Sequence, residues 1–240
     1  MMGQATVATH HDGSTWRVAV VTGELDWSLR QRCSGAAYSE TVAHAWIGDY
    51  LARQLARLEA AANEGARLIV AQEYFAGTEL FTAPPAARLT LVAHWQPRVL
   101  EALQALADRR QVTVVCAMEC LHGDQPVETG VIAQPGGGVP WLQIKQTALP
   151  PGHPLARGYQ LQPVAELKTG LFVCSDLTSF PEDPVALAKA GMEVLFCPGC
   201  GFAGPHWEAF IQTRAIDLGV PILHADDHRA LVVDHLGRTI

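Results

Sequence analysis

Two short apolar runs on either side of one long amphipathic helix constrain this chain more than any other feature. Residues 17–22 read Arg-Val-Ala-Val-Val-Thr and stop at Gly23, and residues 66–73 read Ala-Arg-Leu-Ile-Val-Ala-Gln-Glu. Between them Ala43, Trp46, Ile47, Tyr50, Leu51, Leu55 and Leu58 recur at helical spacing over 40–63, and Gly65 ends the pattern. Strand, helix, strand is a crossover unit, which implies parallel neighbours and a right-handed connection. The rest of the chain continues in the same style. The pattern predicts a helix over 97–110, a strand over 112–119, and a hairpin of 127–133 with 141–145 around the glycines at 136–138. A proline-rich loop begins at Pro150. Strands over 164–168 and 171–174 are expected around Thr169-Gly170. A short helix follows, with Asp183 as its cap, Pro184 in the first turn and Gly191 at its end. Strands over 192–197, 220–225 and 230–234 and a helix over 205–218 complete the reading. No internal repeat or linker divides this pattern, so one layered α/β domain over 15–240 is expected after a flexible leader over 1–14.

Composition narrows the function. At 240 residues, 49% hydrophobic and only 17% charged, the chain can bury about 70–75% of its extended surface. A formal charge of −7 gives neither a nucleic-acid footprint nor a basic membrane face. No apolar run reaches the eighteen or so residues that span a bilayer. The opening residues lack a secretory signal, so the six cysteines are expected as reduced thiols in a cytoplasmic protein. Small-molecule chemistry is the default that remains.

The chemistry gathers at three strand ends. Leu171-Phe-Val-Cys174 runs an apolar strand into a cysteine and then into turn and helix-start residues, where open α/β sheets keep their sites. Glu73 and Lys145 each end another apolar run. A thiol with an ordinary pKa of about 8.5 needs a base to become a nucleophile, and a carboxylate beside it can serve. An ammonium can hold the negative charge that develops when a thiolate adds to a carbonyl or nitrile carbon. The bland readings are a buried structural cysteine, a solvated rim carboxylate and an idle strand-end cation.

Taken together these segments resemble the nitrilase, or carbon–nitrogen hydrolase, superfamily. Leu68-Ile-Val-Ala-Gln-Glu73-Tyr-Phe-Ala-Gly77 is similar to its glutamate segment, and Trp141-Leu-Gln-Ile-Lys145 to its lysine segment. Gly170-Leu-Phe-Val-Cys174-Ser-Asp176 resembles its cysteine segment, and Arg214-Ala-Ile216 a step of its following helix. The resemblance implies an α-β-β-α sandwich, no metal or organic cofactor, and a thioester on Cys174. Glu73 would carry protons, and Lys145 with the backbone N–H of Ser175 would support the oxyanion. A homodimer is also implied. The chain departs from the pattern after the lysine, where many members carry a second glutamate: residues 146–162 contain no carboxylate. His153 is the nearest titratable stand-in there, and Glu119 is the candidate for the missing carboxylate. Cys200 and Phe202 are expected to shape the pocket.

Other constellations compete. Cys197-Pro-Gly-Cys200 could be a redox pair or half of a zinc site, with Cys116 and Cys120 the only other pair; two packed thiols at a strand end is the preferred reading. His206, His224, His228 and His235 with Asp226 and Asp227 lack helical i, i+4 spacing and read as hydrogen-bonded structure. The expectation is therefore a metal-independent hydrolase of a small amide, with a nitrile or carbamoyl substrate as the near variant. A catalytically silent binding or scaffold protein of the same fold is the alternative, motivated by the missing loop carboxylate.

Overall fold

The structure, a computed structural model, describes residues 2–8, 15–23, 38–77, 83–149, 152–153, 158–164, 166–201 and 205–240. In chain order the elements are β1 (Met2–Ala8), β2 (Thr15–Val21), α1 (Glu40–Asn63), β3 (Leu68–Ala71), α2 (Pro85–Arg110), β4 (Thr113–His122), β5 (Gln125–Ala133) and β6 (Trp141–Ile144). Then follow β7 (Gln162–Val164), β8 (Leu167–Leu171), α3 (Asp176–Ser179), α4 (Glu182–Lys189), β9 (Val194–Pro198), α5 (Pro205–Leu218), β10 (Ile222–Ala225) and β11 (Ala230–Val233). They build two sheets, one ordered β1-β2-β3-β4-β5-β6 and the other β11-β10-β9-β8-β7. The crossover units pair in parallel: β2 with β3, β3 with β4, β8 with β9, and β9 with β10.

Period-two alternation sorts the side chains into layers. On β2, Ala19 and Val21 join the core under α1 and α2, whereas Val18 and Val20 join the core between the sheets. Leu68 and Val70 of β3 and Val115 of β4 meet Leu171, Val194, Phe196 and Leu223 of the opposite sheet. A third core packs Leu195 and Ile222 against Trp207, Ile211 and Ala215 of α5. Because each sheet is apolar on both faces, each needs a cover on both, and the result is an α-β-β-α sandwich.

Several expectations are corrected. The second helix starts at Pro85, and Pro97 lies inside it. Leu91, Val92, Val99, Leu103 and Leu106 share its buried face, so packing outweighs the hydrogen bond that Pro97 cannot donate. Residues 2–8, read as part of a flexible leader, pair antiparallel with β2 from Met2↔Val21 to Ala8↔Thr15. Thr169 and Gly170 do not separate two strands; both lie in β8 beside Val194 and Leu195. Gly170 is there because a Cβ would sit 2.4 Å from Met192 Sδ, a packing demand that reads in sequence like a turn signal. α4 is capped at Pro181 rather than Asp183, and its first turn holds both Asp183 and Pro184. Its end is as expected: Gly191 at φ +94°, with Gly191 N–H on Ala188 O and Met192 N–H on Leu187 O, is a Schellman closure.

Candidate active site

Three strand ends converge on one rim. Glu73 lies two residues beyond β3, and its backbone N–H donates to Gly199 O in the opposite sheet at 3.1 Å. Lys145 follows β6 directly, and its N–H donates to Glu128 O at 2.9 Å. Cys174 lies three residues beyond β8, its N–H donating to Pro198 O at 2.7 Å. It takes φ +52° between the strand and α3, a left-handed backbone that a cysteine adopts under strain. Tyr74, next to Glu73, does the same at φ +54°. The turn after Cys174 is locked by Asp176, whose buried carboxylate accepts from Thr147 N–H and Thr147 Oγ1 at 2.8 Å each and from Gln146 N–H at 3.1 Å. Asp176 thereby ties the segment after the cysteine to the segment after the lysine.

Lys145 Nζ donates to Glu73 Oε1 at 2.5 Å, and the Cys174 thiol, whose Sγ lies 3.7 Å from Cys200 O, is close enough to Glu73 for each to shift the other's titration. Burial pushes the Glu73 carboxyl up against the opposing pull of Lys145. Burial and then the charge of Glu73 push the Cys174 thiol well up, with Lys145 acting the other way. Burial disfavours charge on Lys145, but the Glu73 carboxylate and Cys174 more than offset it and its pKa rises. The site sets a thiol, a carboxyl group and an ammonium side by side. That arrangement can move a proton from sulfur to carboxylate and hold an oxyanion at nitrogen.

Beside this cluster is a cavity of about 370 Å³ lined by Tyr74, Arg88, Glu119, Pro126, Val127, Glu128, Lys145, Thr147, Ala148 and Ser175. Strand register places its two glutamates. Val115, Ala117 and Glu119 of β4 lie opposite Ile132, Gly130 and Glu128 of β5, all on the face toward the other sheet. That face is apolar until it reaches the rim, where Ala117 packs on Cys174. The sequence matches the family model for carbon–nitrogen hydrolases over residues 18–239. The chain belongs to the carbon–nitrogen hydrolase family. Its structural neighbours, at low sequence identity, share its fold. A carbon–nitrogen hydrolase from Helicobacter pylori G27 is 18% identical, with TM-score 0.70 over 92% of this chain and 82% of that chain. A mutant of Nesterenkonia AN1 amidase is 20% identical, with TM-score 0.66 over 97% of this chain and 86% of that chain. No curated protein matches the sequence.

For this carbon–nitrogen hydrolase the structure brings together Glu73, Lys145, Cys174, Ser175 and Glu119. Ser175 lines the cavity, its hydroxyl 2.9 Å from Thr147 Oγ1. Glu119 is taken up by Arg88, whose Nε donates to its Oε2 at 2.7 Å and whose Nη2 bonds the other oxygen. His153 is not among the described residues lining the cavity. Cys200 meets the site through its backbone, its carbonyl oxygen lying 3.7 Å from Cys174 Sγ. Phe202 lies outside the described residues, as do Cys33 and Pro150. The two cysteine pairs sit in separate layers: Cys116 and Cys120 under the helices of one sheet, Cys197 under α5 on the other. Among the described residues no group of three or more His, Cys, Asp or Glu is arranged to hold a metal, and no helix is long and apolar enough to cross a membrane.

Sequence reasoning missed Glu128, Arg88 and the locking role of Asp176. Glu128 had one legible signal: it is a carboxylate on the same alternating face as Gly130 and Ile132, where an ordinary core strand is apolar.

Proposed function

We propose that this carbon–nitrogen hydrolase cleaves a small amide through a thioester on Cys174, with Glu73 as general base and acid and Lys145 as oxyanion stabiliser. The observation that carries the reading is the buried Glu73–Lys145 pair at 2.5 Å with the Cys174 thiol beside it, held at the end of its strand. Glu73 takes the thiol proton as sulfur adds to the amide carbon. Lys145 Nζ and the backbone N–H of Ser175 receive the oxyanion. Collapse breaks the C–N bond, and the proton on Glu73 leaves with the nitrogen as ammonia. Glu73 then takes a proton from water, the resulting hydroxide attacks the thioester, and sulfur departs with that proton as the carboxylic acid forms. Structural neighbours support the substrate class: mutants of the Nesterenkonia sp. AN1 amidase carry acrylamide on the active-site cysteine or hold butyramide. A cytoplasmic homodimer belongs to the same reading.

The test is intact-protein mass spectrometry of wild type and Cys174→Ala after incubation with butyramide and acrylamide. A mass increase localised to Cys174 in wild type alone, with ammonia released from butyramide, is expected. Wild-type protein with no adduct and no ammonia across a panel of amides, nitriles and carbamoyl compounds would instead identify a silent member of the fold.

A further inference from the structure

Glu128 is buried, with a relative exposure of 5%, and lines the cavity together with Lys145 and Ser175. No side chain donates to either of its carboxyl oxygens, and the backbone N–H of Tyr74 beside them makes no well-formed hydrogen bond to them. Its neighbour across the ladder, Glu119, lies on the same face and has both oxygens bonded to Arg88. An unsatisfied buried carboxyl destabilises a fold, and protein interiors rarely keep one. This one is held in place, because its own carbonyl oxygen accepts the Lys145 N–H and so fixes the two side chains as neighbours. A group of this kind, aimed into a cavity beside a nucleophile, points to a ligand that brings the missing donor.

Resting on the amide reading of Cys174, we infer that Glu128 holds the nitrogen end of the scissile group, and that the substrates are primary amides. The orientation follows from the charges around the cavity. The amide oxygen must lie toward Lys145 Nζ and the Ser175 N–H, where the oxyanion will form. The planar amide then turns its nitrogen toward the carboxyl side of the cluster, where Glu73 and Glu128 stand. A primary amide has two N–H donors, one for each. Burial, followed by the charges of Glu73 and Glu119, pushes the Glu128 carboxyl well up toward its neutral form, whose carbonyl oxygen accepts an N–H. An N,N-dialkyl amide of the same acyl group would leave Glu128 buried without a partner and place a methyl against it. Sites built to bond a polar hydrogen reject the analogue that lacks it far more strongly than an apolar wall rejects an extra methyl.

The experiment uses the full chain in the Cys174→Ala background, where an amide binds uncleaved, and compares butyramide with N,N-dimethylbutyramide by calorimetry. Butyramide is expected to bind more tightly by about tenfold to a hundredfold. Adding Glu128→Leu should weaken butyramide by about that factor and leave the dimethyl amide unchanged, so that the preference disappears. Glu128→Gln retains an acceptor and is expected to retain most of the preference, which covers the case in which the leucine variant does not fold. In otherwise wild-type protein Glu128→Leu should raise the melting midpoint by about 2 °C or more, because it removes an unsatisfied buried group. It should also leave methyl disulfide formation on Cys174 by methyl methanethiosulfonate, with methanesulfinate as the leaving group, at its normal rate. A leucine variant that keeps the preference, loses affinity equally for both amides, or melts lower with unchanged affinity would overturn the role of Glu128 alone. Wild-type protein that forms no acyl adduct and releases no ammonia would overturn the amide reading, and this inference with it.

Discussion

Two buried polar clusters sit at strand ends of this fold, and they are finished to different degrees. At the end of β10, His224 Nδ1 lies 2.7 Å from Cys197 O, while Nε2 lies 2.7 Å from Trp207 Nε1 and 3.1 Å from Asp226 Oδ2. Asp226 also accepts from the backbone N–H groups of His228 and Arg229 at 2.6 and 2.5 Å. Burial alone would raise the Asp226 carboxyl, yet His224 and those two N–H groups hold it below the ordinary range. At the rim formed by Glu73, Lys145 and Cys174, the carboxyls of Glu73 and Glu128 are instead pushed up, and no side chain donates to Glu128. Both clusters contain an acid beside a base and look alike in a list of residues. The first has its polar atoms taken up within the fold; the second opens on a cavity. Completeness of hydrogen bonding separates the two better than residue type does.

The largest expected effect falls on the unfinished cluster. Cys174→Ala should lower kcat by about 10⁶-fold, as removal of a covalent nucleophile does, with the melting curve little changed. A residual rate within tenfold of wild type would remove the nucleophile assignment. Lys145→Met should lower kcat by about 10²–10³-fold through loss of oxyanion stabilisation, and should shift the pH–rate profile upward because Glu73 loses its counter-ion. A profile that stays in place would break the pairing of the two groups.

The finished cluster should respond in stability instead. Asp226→Asn is expected to destabilise by about 2–3 kcal/mol, since it weakens charged hydrogen bonds to two backbone N–H groups and to His224. That is a fall of about 4–12 °C in melting midpoint for a chain of this length. Activity per folded molecule should change by less than about tenfold. A loss of activity comparable to Cys174→Ala would instead move Asp226 into the chemistry.

The smallest effect is the dependence of stability on pH, and its sign differs between the clusters. Asp226 has a lowered folded pKa, so its contribution is present above the unfolded value of about 3.9 and is lost as pH falls through the folded value. Glu128 has a raised folded pKa, so its contribution is present below the unfolded value of about 4.3 and declines as pH rises toward the folded value. Glu128→Gln should therefore gain stability relative to wild type by up to about 1.4 kcal/mol per pH unit through that window, measured by urea unfolding. A difference that does not change with pH would mean that Glu128 is ionised in the fold.

Much of the architecture was legible because it depends on local pattern. The helix over 40–63 ends where Gly65 and the apolar period say it should, and the strands around Ile69, Val115 and Phe196 follow from uninterrupted apolar runs. Pro97 and Gly170 misled for one shared reason: each is a residue whose local preference was overruled by packing, on the buried face of α2 in one case and against Met192 in the other. The rim cluster was legible as three strand-end residues, and Glu119 lines the cavity beside it. Its partner Arg88 was not, because it comes from a helix turn whose start was misread and joins Glu119 across 31 residues.

The sequence by itself determined which segments become strands and helices, which faces are apolar, and which strand ends carry a thiol, a carboxylate and an ammonium. Those properties reside in spacing and side-chain chemistry, and no distant partner is needed to express them. Only the tertiary structure decided which buried acids are satisfied. Asp226 and Glu119 meet donors in the fold, whereas Glu128, one ladder position across from Glu119, meets no donating side chain. Hydrogen-bond completeness depends on angles and on distances of a few tenths of an ångström between elements far apart in the chain, which no residue pattern encodes locally.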